Sequence, residues 1–284
     1  MNQPHEQNGR MIKADGVEIY AENFGDPSHP ALLLIMGAQA SLVWWEEEFC
    51  GRLAAAGRYV IRYDNRNVGR SSAWEAGALG YTFEDMADDA IRVLDAYGIG
   101  SAHIAGMSMG GMLTQMIALR HPQRVLTISL IATSNFAAEL PPPEERVNAF
   151  FEQAGDVDWS DDAAVTAITL QKWRVLHGER PFDEERVRHL AALEVRHARN
   201  IASINNHALI TGVEPYLLRT AEIAVPTLVI HGTLDPVIPY VHGEHLVKTI
   251  PGARLLTLEG AGHELHTSDW DAIIAGIAEH TTGS

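Results

Sequence analysis

Residues Ile104 to Gly111 read Ile-Ala-Gly-Met-Ser-Met-Gly-Gly. This is a full Gly-x-Ser-x-Gly match, with an apolar, strand-like run before it and a helix-like run after it. The pattern calls for a strand, a sharp strained turn and a helix in immediate succession. A Cβ at either glycine of such a turn would clash, so the small neighbours answer a steric need. The turn lifts the Ser108 hydroxyl clear of the backbone. It also aims the N-terminus of the next helix, with its free N–H groups and positive dipole end, at the place where negative charge would develop.

A unit of this kind needs a sheet to join. Val17 to Phe24 alternates weakly and predicts an early, partly exposed strand. Ala31 to Met36 is a continuous apolar run ending in Gly37, as expected of a central strand covered on both faces. Val60 to Asp64, Ala102 to Ala105, Val125 to Ala132, Thr227 to His231 and Arg254 to Leu258 continue the series. Amphipathic stretches lie between them: Trp45 to Ala56, Phe83 to Tyr97, Gly110 to Arg120, Val241 to Ile250 and Asp269 to His280. Such alternation predicts an α/β fold with a mostly parallel, doubly wound sheet of about eight strands. The rhythm breaks between Thr133 and Val225. Pro141-Pro142-Pro143 opens this stretch, and helices are predicted over Glu144 to Gln153, Asp161 to Leu176 and Asp183 to Arg199, with a further run near Ile201 to Ile210. So long a helical insertion is a subdomain, not a loop. The expected division is a core of residues 1–134 and 224–284 and a helical cap of residues 135–223.

A serine hydroxyl is a poor nucleophile at neutral pH. It needs a base within hydrogen-bond reach, and that base needs an orienting partner. In sheets of this type the acid and then the histidine follow the serine, each at the carboxyl end of a later strand. Asp235 lies just past the Thr227–His231 strand, in a turn punctuated by Gly232 and Pro236. His263 lies in the small-residue loop Glu259-Gly260-Ala261-Gly262 past the next strand. Taken singly, Asp235 also suits an ordinary turn residue and His263 a helix cap. His231, His266, His242 and His245 are rivals for the base, but none has the Gly-Ala-Gly-His setting. Two backbone N–H donors for an oxyanion are expected, from Met109 and from Ala38, with Gly37 making the tight turn. Trp44, Trp45 and Met107, with Gly37, are candidates to wall a substrate pocket, although packing would explain the tryptophans equally well. Met112 and Met116 read as core.

The remaining features exclude more than they assign. Lys+Arg is 21 against Asp+Glu 37, a net charge of −16. That argues against nucleic acid, whose phosphates would be repelled. No phosphate-binding lysine follows Gly110-Gly111, and there is no His-Glu-x-x-His or paired-cysteine metal site. No metal and no cofactor are expected. The single cysteine, Cys50, sits among Phe49, Leu53 and Ala54 and reads as core. Arg188, His189, Arg196, His197 and Arg199 read as a solvated helix face. Met1 to Arg10 is polar, and no apolar run approaches the roughly 20 residues that span a bilayer. A cytoplasmic protein is expected, acting as a monomer or homodimer on a small-molecule ester, without nucleic acid or membrane as partner.

From Val17 to His280 the chain resembles the α/β-hydrolase superfamily. The Gly106–Gly110 elbow, Asp235-Pro236 and Gly262-His263 carry the likeness. So does Tyr63-Asp64-Asn65-Arg66-Asn67-Val68-Gly69-Arg70-Ser71-Ser72, which matches a segment that is structural in the superfamily. Relatives usually carry His-Gly before the oxyanion loop; here it is Met36-Gly37. That pair, Tyr63 to Ser71 and Ser108-Met109-Gly110 together resemble the aclacinomycin methylesterase branch, which demethylates an anthracycline ester. The resemblance implies a cofactor-independent serine hydrolase that cleaves a carboxylic ester through an acyl-enzyme, with a methyl ester of a bulky or polycyclic acid as one candidate substrate. Cofactor-free perhydrolysis of the haloperoxidase kind and amide or carbon–carbon cleavage use the same triad. A non-catalytic, ligand-binding receptor is the alternative of another class.

Overall fold

The computed structural model describes residues 9–153 and 157–282. Met1 to Asn8, most of the polar stretch Met1 to Arg10, lies outside the described residues. The elements run β1 (Arg10–Ala14), β2 (Val17–Phe24), β3 (Ala31–Ile35), α1 (Glu47–Ala55), β4 (Tyr59–Tyr63), α2 (Phe83–Ala96), β5 (Ala102–Met107), α3 (Met109–Arg120) and β6 (Val125–Ile131). Then come α4 (Glu145–Gln153), α5 (Asp162–Leu176), α6 (Glu184–His197), α7 (Glu214–Leu217), β7 (Thr227–Gly232), α8 (Val241–Thr249), β8 (Arg254–Leu258) and α9 (Trp270–His280). A long 3₁₀ stretch, Ile201–Leu209, separates α6 from α7.

The eight strands form one sheet in the order β1-β2-β4-β3-β5-β6-β7-β8. β2 runs antiparallel to β1 and β4, and every pairing from β4 through β8 is parallel. Alternate residues of the central strands serve two cores. Leu33, Ile35, Ile61, Ile104 and Val229 face one layer of helices; Leu32, Leu34, Val60, Ala105 and Ile230 face the other. Covering on both faces is why these strands read as predominantly apolar, β3 without a break. β1 went unread in the sequence. Its five residues show a polar, exposed pattern with only Ile12 buried, and it survives as an edge strand by pairing with β2.

Two of the helices between β6 and β7, α5 and α6, start where their caps predict. Asp161 accepts N–H bonds from Ala163 and Ala164 at the start of α5, and Asp183 accepts one from Arg186 at the start of α6. Among the described residues, no helix is long and apolar enough to cross a membrane.

Candidate active site

Ser108 is the only residue between β5 and α3, at φ 55° and ψ −119°. A non-glycine residue held at positive φ costs about 1–3 kcal/mol, so its surroundings must over-determine it. They do. Its N–H donates to the Ile131 carbonyl at 2.9 Å, and its own carbonyl accepts from the Gly111 N–H at 2.9 Å and the Thr133 hydroxyl at 2.7 Å. The glycines of the motif are steric necessities. A Cβ on Gly106 would sit 2.1 Å from the Gly110 carbonyl oxygen, and one on Gly110 would sit 2.1 Å from that of Ile35. Met109 opens α3, so its N–H has no acceptor within the helix.

The loop that follows β3, expected to hold the second oxyanion donor, passes close by. A Cβ on Gly37 would lie 3.1 Å from the Cβ of Ser108. Asn65 donates to the Met36 carbonyl at 3.2 Å. On the far side of Ala38, the Gln39 N–H donates to Nδ1 of His207 at 3.0 Å, and Nε2–H of His207 donates to the Arg66 carbonyl at 2.7 Å. Burial drives His207 down to about 4, so the ring stays neutral and both nitrogens are committed to holding backbone. The segment that matched the superfamily supplies the frame beneath. Asp64 accepts from the N–H groups of Leu42 and Arg70, each at 2.8 Å, and from His197 at 2.7 Å. A Cβ on Gly69, at φ +54°, would fall 2.1 Å from that carboxylate.

Asp235 and His263 meet at the exits of β7 and β8. Thr233 N–H donates to the Leu258 carbonyl at 3.1 Å and Leu234 N–H to that of Ala261 at 3.0 Å, pinning the two loops together. His263 Nδ1–H donates to Asp235 Oδ2 at 2.7 Å. The other carboxylate oxygen accepts from the N–H groups of Val237 at 2.9 Å and Ile238 at 2.8 Å. The ring's Nε2 is thereby left as the basic nitrogen, on a residue that lines the same cavity of about 630 Å³ as Ser108. Among the described residues, no hydrogen bond joins Ser108 Oγ to this ring. Catalytic hydrogen bonds of this type commonly close only with substrate in place.

The rival histidines are engaged elsewhere. His231 approaches Asp235 Oδ2 at 3.6 Å but donates to the Ile238 carbonyl at 2.8 Å, and burial lowers its basicity. His242 sits between the Ser134 hydroxyl and the Pro141 carbonyl. His266 takes the Ser268 N–H and caps a short 3₁₀ turn, the role weighed for His263. His245 lies 3.7 Å from Glu139.

Gly37, Ala38 and Met107 line the main cavity. Trp44 and Trp45 do not, which corrects their reading as pocket walls. Trp45 is wholly buried and stacks on Phe49 at 5.7 Å, while Trp44 lies behind Trp173 at 4.4 Å. Trp173 is the ring that faces the cavity, together with Phe150, Phe151, Trp159 and Leu176. A second cavity of about 560 Å³ shares Ala38, Ser108, His207 and Val237 with the first, so the two meet at the serine. Met112 lines it and is only half-buried, unlike the fully buried Met116. His197 also departs from its reading as solvated, since its ring turns inward to Asp64. Cys50 is buried, as read. Among the described residues, no group of three or more His, Cys, Asp or Glu could hold a metal ion.

The chain belongs to the alpha/beta hydrolase fold family, whose model matches residues 30–269. It is 36% identical to the rhodomycin D methylesterase DauP of Streptomyces sp. (strain C5), with 96% of this chain and 97% of that protein covered. It is 35% identical to the rhodomycin D methylesterase DnrP of Streptomyces peucetius, with the same coverage of each chain. Among solved structures, a hydrolase from Pseudomonas aeruginosa PA01 superposes with a TM-score of 0.74 at 27% identity, covering 98% of this chain and 100% of that one.

Proposed function

We propose that the protein is a serine hydrolase that cleaves a carboxylic ester through an acyl-enzyme, and that its ester is the methyl ester of a bulky, polycyclic acid. One observation carries the reading. The 2.7 Å bond from His263 to Asp235 fixes the tautomer that leaves Nε2 basic, in the cavity where Ser108 stands on its strained turn. The two methylesterases, at 36% and 35% identity, support the substrate class, as do the size and aromatic walls of the cavity. Phe150, Trp159, Trp173 and Leu176 all come from residues 135–223, which we read as a cap that shapes the acyl site and excludes water.

The chemistry follows from the geometry. Ser108 Oγ attacks the ester carbonyl as His263 Nε2 takes its proton. Asp235 stabilises the imidazolium that forms. The carbonyl oxygen, now negative, is held by the N–H groups of Met109 and Ala38, each contributing about 3 kcal/mol to the transition state. His263 returns the proton to the departing methanol. It then deprotonates a water that attacks the acyl-serine, and as the acyl–oxygen bond breaks His263 gives that proton to Ser108 Oγ, releasing the acid and restoring the free serine.

The test is a set of methyl esters of benzoic, naphthoic and anthracene carboxylic acids, beside p-nitrophenyl acetate, amides and diketones. Methanol release should rise with ring number and vanish in Ser108→Ala. A phosphonate should label Ser108 stoichiometrically. Hydrolysis that survives Ser108→Ala, or faster turnover of amides or diketones than of esters, overturns the proposal.

A further inference from the structure

The main cavity is lined mostly by apolar and aromatic side chains; Gln39, Ser108, Thr169, Asn205, His207 and His263 are polar but carry no fixed positive charge, and one lining residue does. On α5, residues Ile168, Thr169, Trp173 and Leu176 form a stripe facing it, and Lys172 interrupts that stripe. Lys172 is the only lysine or arginine among the described residues that line the cavity. Its ammonium has three protons to donate. It makes one hydrogen bond, to the Gln39 carbonyl at 3.2 Å, and lies 5.7 Å from the centre of the Trp173 ring, a cation–π contact that leaves its other N–H groups free. Among the described residues, no carboxylate stands within 4.0 Å of it as an ion pair. The acid that acts on it from further away, Glu194, already spends its oxygens on the N–H and hydroxyl of Ser41, at 2.8 to 3.2 Å. The neighbouring His207 is neutral, with both ring nitrogens used on backbone.

A cation in such a place is costly unless something compensates it. The cost is visible: burial brings the Lys172 amine down to about 8. A leucine or methionine would have filled the stripe without it. We propose that Lys172 is the anion-recognising residue of this cavity, taking an anionic oxygen on the acyl part of the substrate, remote from the ester that Ser108 attacks. The assignment to a substrate rests on the serine-hydrolase reading above; the anion site itself does not. Chemically, the ligand is an aromatic ring system bearing an ionised oxygen. The rings lie against Trp159 and Trp173, and the anion takes the donors that Gln39 leaves free.

The experiment is titration calorimetry near neutral pH with 2-naphthalenesulfonate and its neutral isostere 2-naphthalenesulfonamide. The proteins are the wild type, Lys172→Met, Lys172→Gln and Lys172→Arg, the two uncharged variants guarding against one that misfolds. Sulfonate affinity should fall about tenfold or more in the uncharged variants, the scale of one charge-assisted hydrogen bond. It should recover in Lys172→Arg, and sulfonamide affinity should change little throughout. A purely structural role, holding the loop through Gln39, would lower both ligands together. An equal loss for both, no loss of sulfonate affinity, or no binding of sulfonate by the wild type each overturns the proposal. Ser108-dependent hydrolysis of p-nitrophenyl acetate is measured separately. If it is absent while the sulfonate result holds, the enzyme reading fails and the anion site stands.

Discussion

Replacing Asp235 by asparagine removes one charge and keeps the shape, so its effect can be worked from hydrogen bonds alone. The native carboxylate accepts three: Val237 N–H at 2.9 Å and Ile238 N–H at 2.8 Å on one oxygen, His263 Nδ1–H at 2.7 Å on the other. An amide has one accepting oxygen and one donating NH₂. With the oxygen toward the two backbone groups, the NH₂ faces the ring. The ring must then carry its proton on Nε2, and the base is lost. With the amide reversed, the ring is correct but two buried N–H groups face a donor. Each such loss costs about 1–3 kcal/mol, so the competent orientation lies roughly 2–6 kcal/mol above the other. At 1.36 kcal/mol per tenfold, turnover should fall between about 30-fold and about 10⁴-fold. The upper end agrees with the roughly 10⁴-fold loss known when a triad aspartate becomes asparagine. The assay is kcat for p-nitrophenyl acetate, with thermal unfolding as the control for folding. Activity within threefold of the wild type, in a folded protein, would refute the reasoning and move the orienting role to another carboxylate.

Ser108→Ala and His263→Ala should each lower kcat by roughly 10⁴-fold or more with an unchanged circular dichroism spectrum; normal turnover in either removes it from the mechanism. Gly110→Ala puts a Cβ 2.1 Å from a backbone oxygen of β3 that cannot yield, so urea unfolding should show a loss of about 3 kcal/mol. A loss below about 0.5 kcal/mol would mean that the helix moves freely against the sheet. His103 and His207, both driven down to about 4 by burial, lie below the ordinary 6.5 in the folded state. The unfolded chain then takes protons first, so the stability they contribute is complete above about pH 6.5 and drains away as the pH falls toward 4. The melting temperature should drop across that window, and less steeply in His103→Gln; an identical drop would remove His103 as a cause.

Much of the core was legible because local chemistry repeated what the fold required. The β5–α3 turn needed glycines at 106 and 110, and both are there. The central strands are largely apolar because both their faces are covered; β3 is wholly so, while β5 and β7 bury His103 and His231. Asp235 and His263 lie past strand ends, where short glycine-containing loops leave little choice. The cavity walls were harder. Periodicity tells which face of a helix is apolar, but not which neighbour that face meets. Hence Trp44 and Trp45 were candidates by nearness in sequence, while the ring that faces the cavity is Trp173, more than a hundred residues away. Lys172 did leave a mark, as a cation inside an otherwise apolar stripe, and His207 was one histidine among fourteen until its backbone partners were seen. β1 failed for the opposite reason: a short edge strand buries too little to leave a pattern.

The helices between β6 and β7 do more than wall the cavity. The carbonyl of Leu176, the last residue of α5, accepts the N–H of His263 at 2.8 Å. Gly262 and Gly178 let the two backbones touch. A Cβ on Gly262 would lie 2.4 Å from the Leu176 oxygen, and one on Gly178 would lie 2.3 Å from that of Gly260. Glu179 N–H closes the contact on the Gly260 carbonyl at 2.8 Å. One helix therefore presents Lys172 and Trp173 to the cavity and grips the loop of the histidine with its C-terminal end. Close-packed backbone has no slack to absorb a displacement. A shift of α5 must therefore also shift the loop that carries His263. On the proposed mechanism, selectivity is tied to turnover and not only to binding: a substrate that pushed this wall aside would be penalised in kcat, because it would carry His263 out of line.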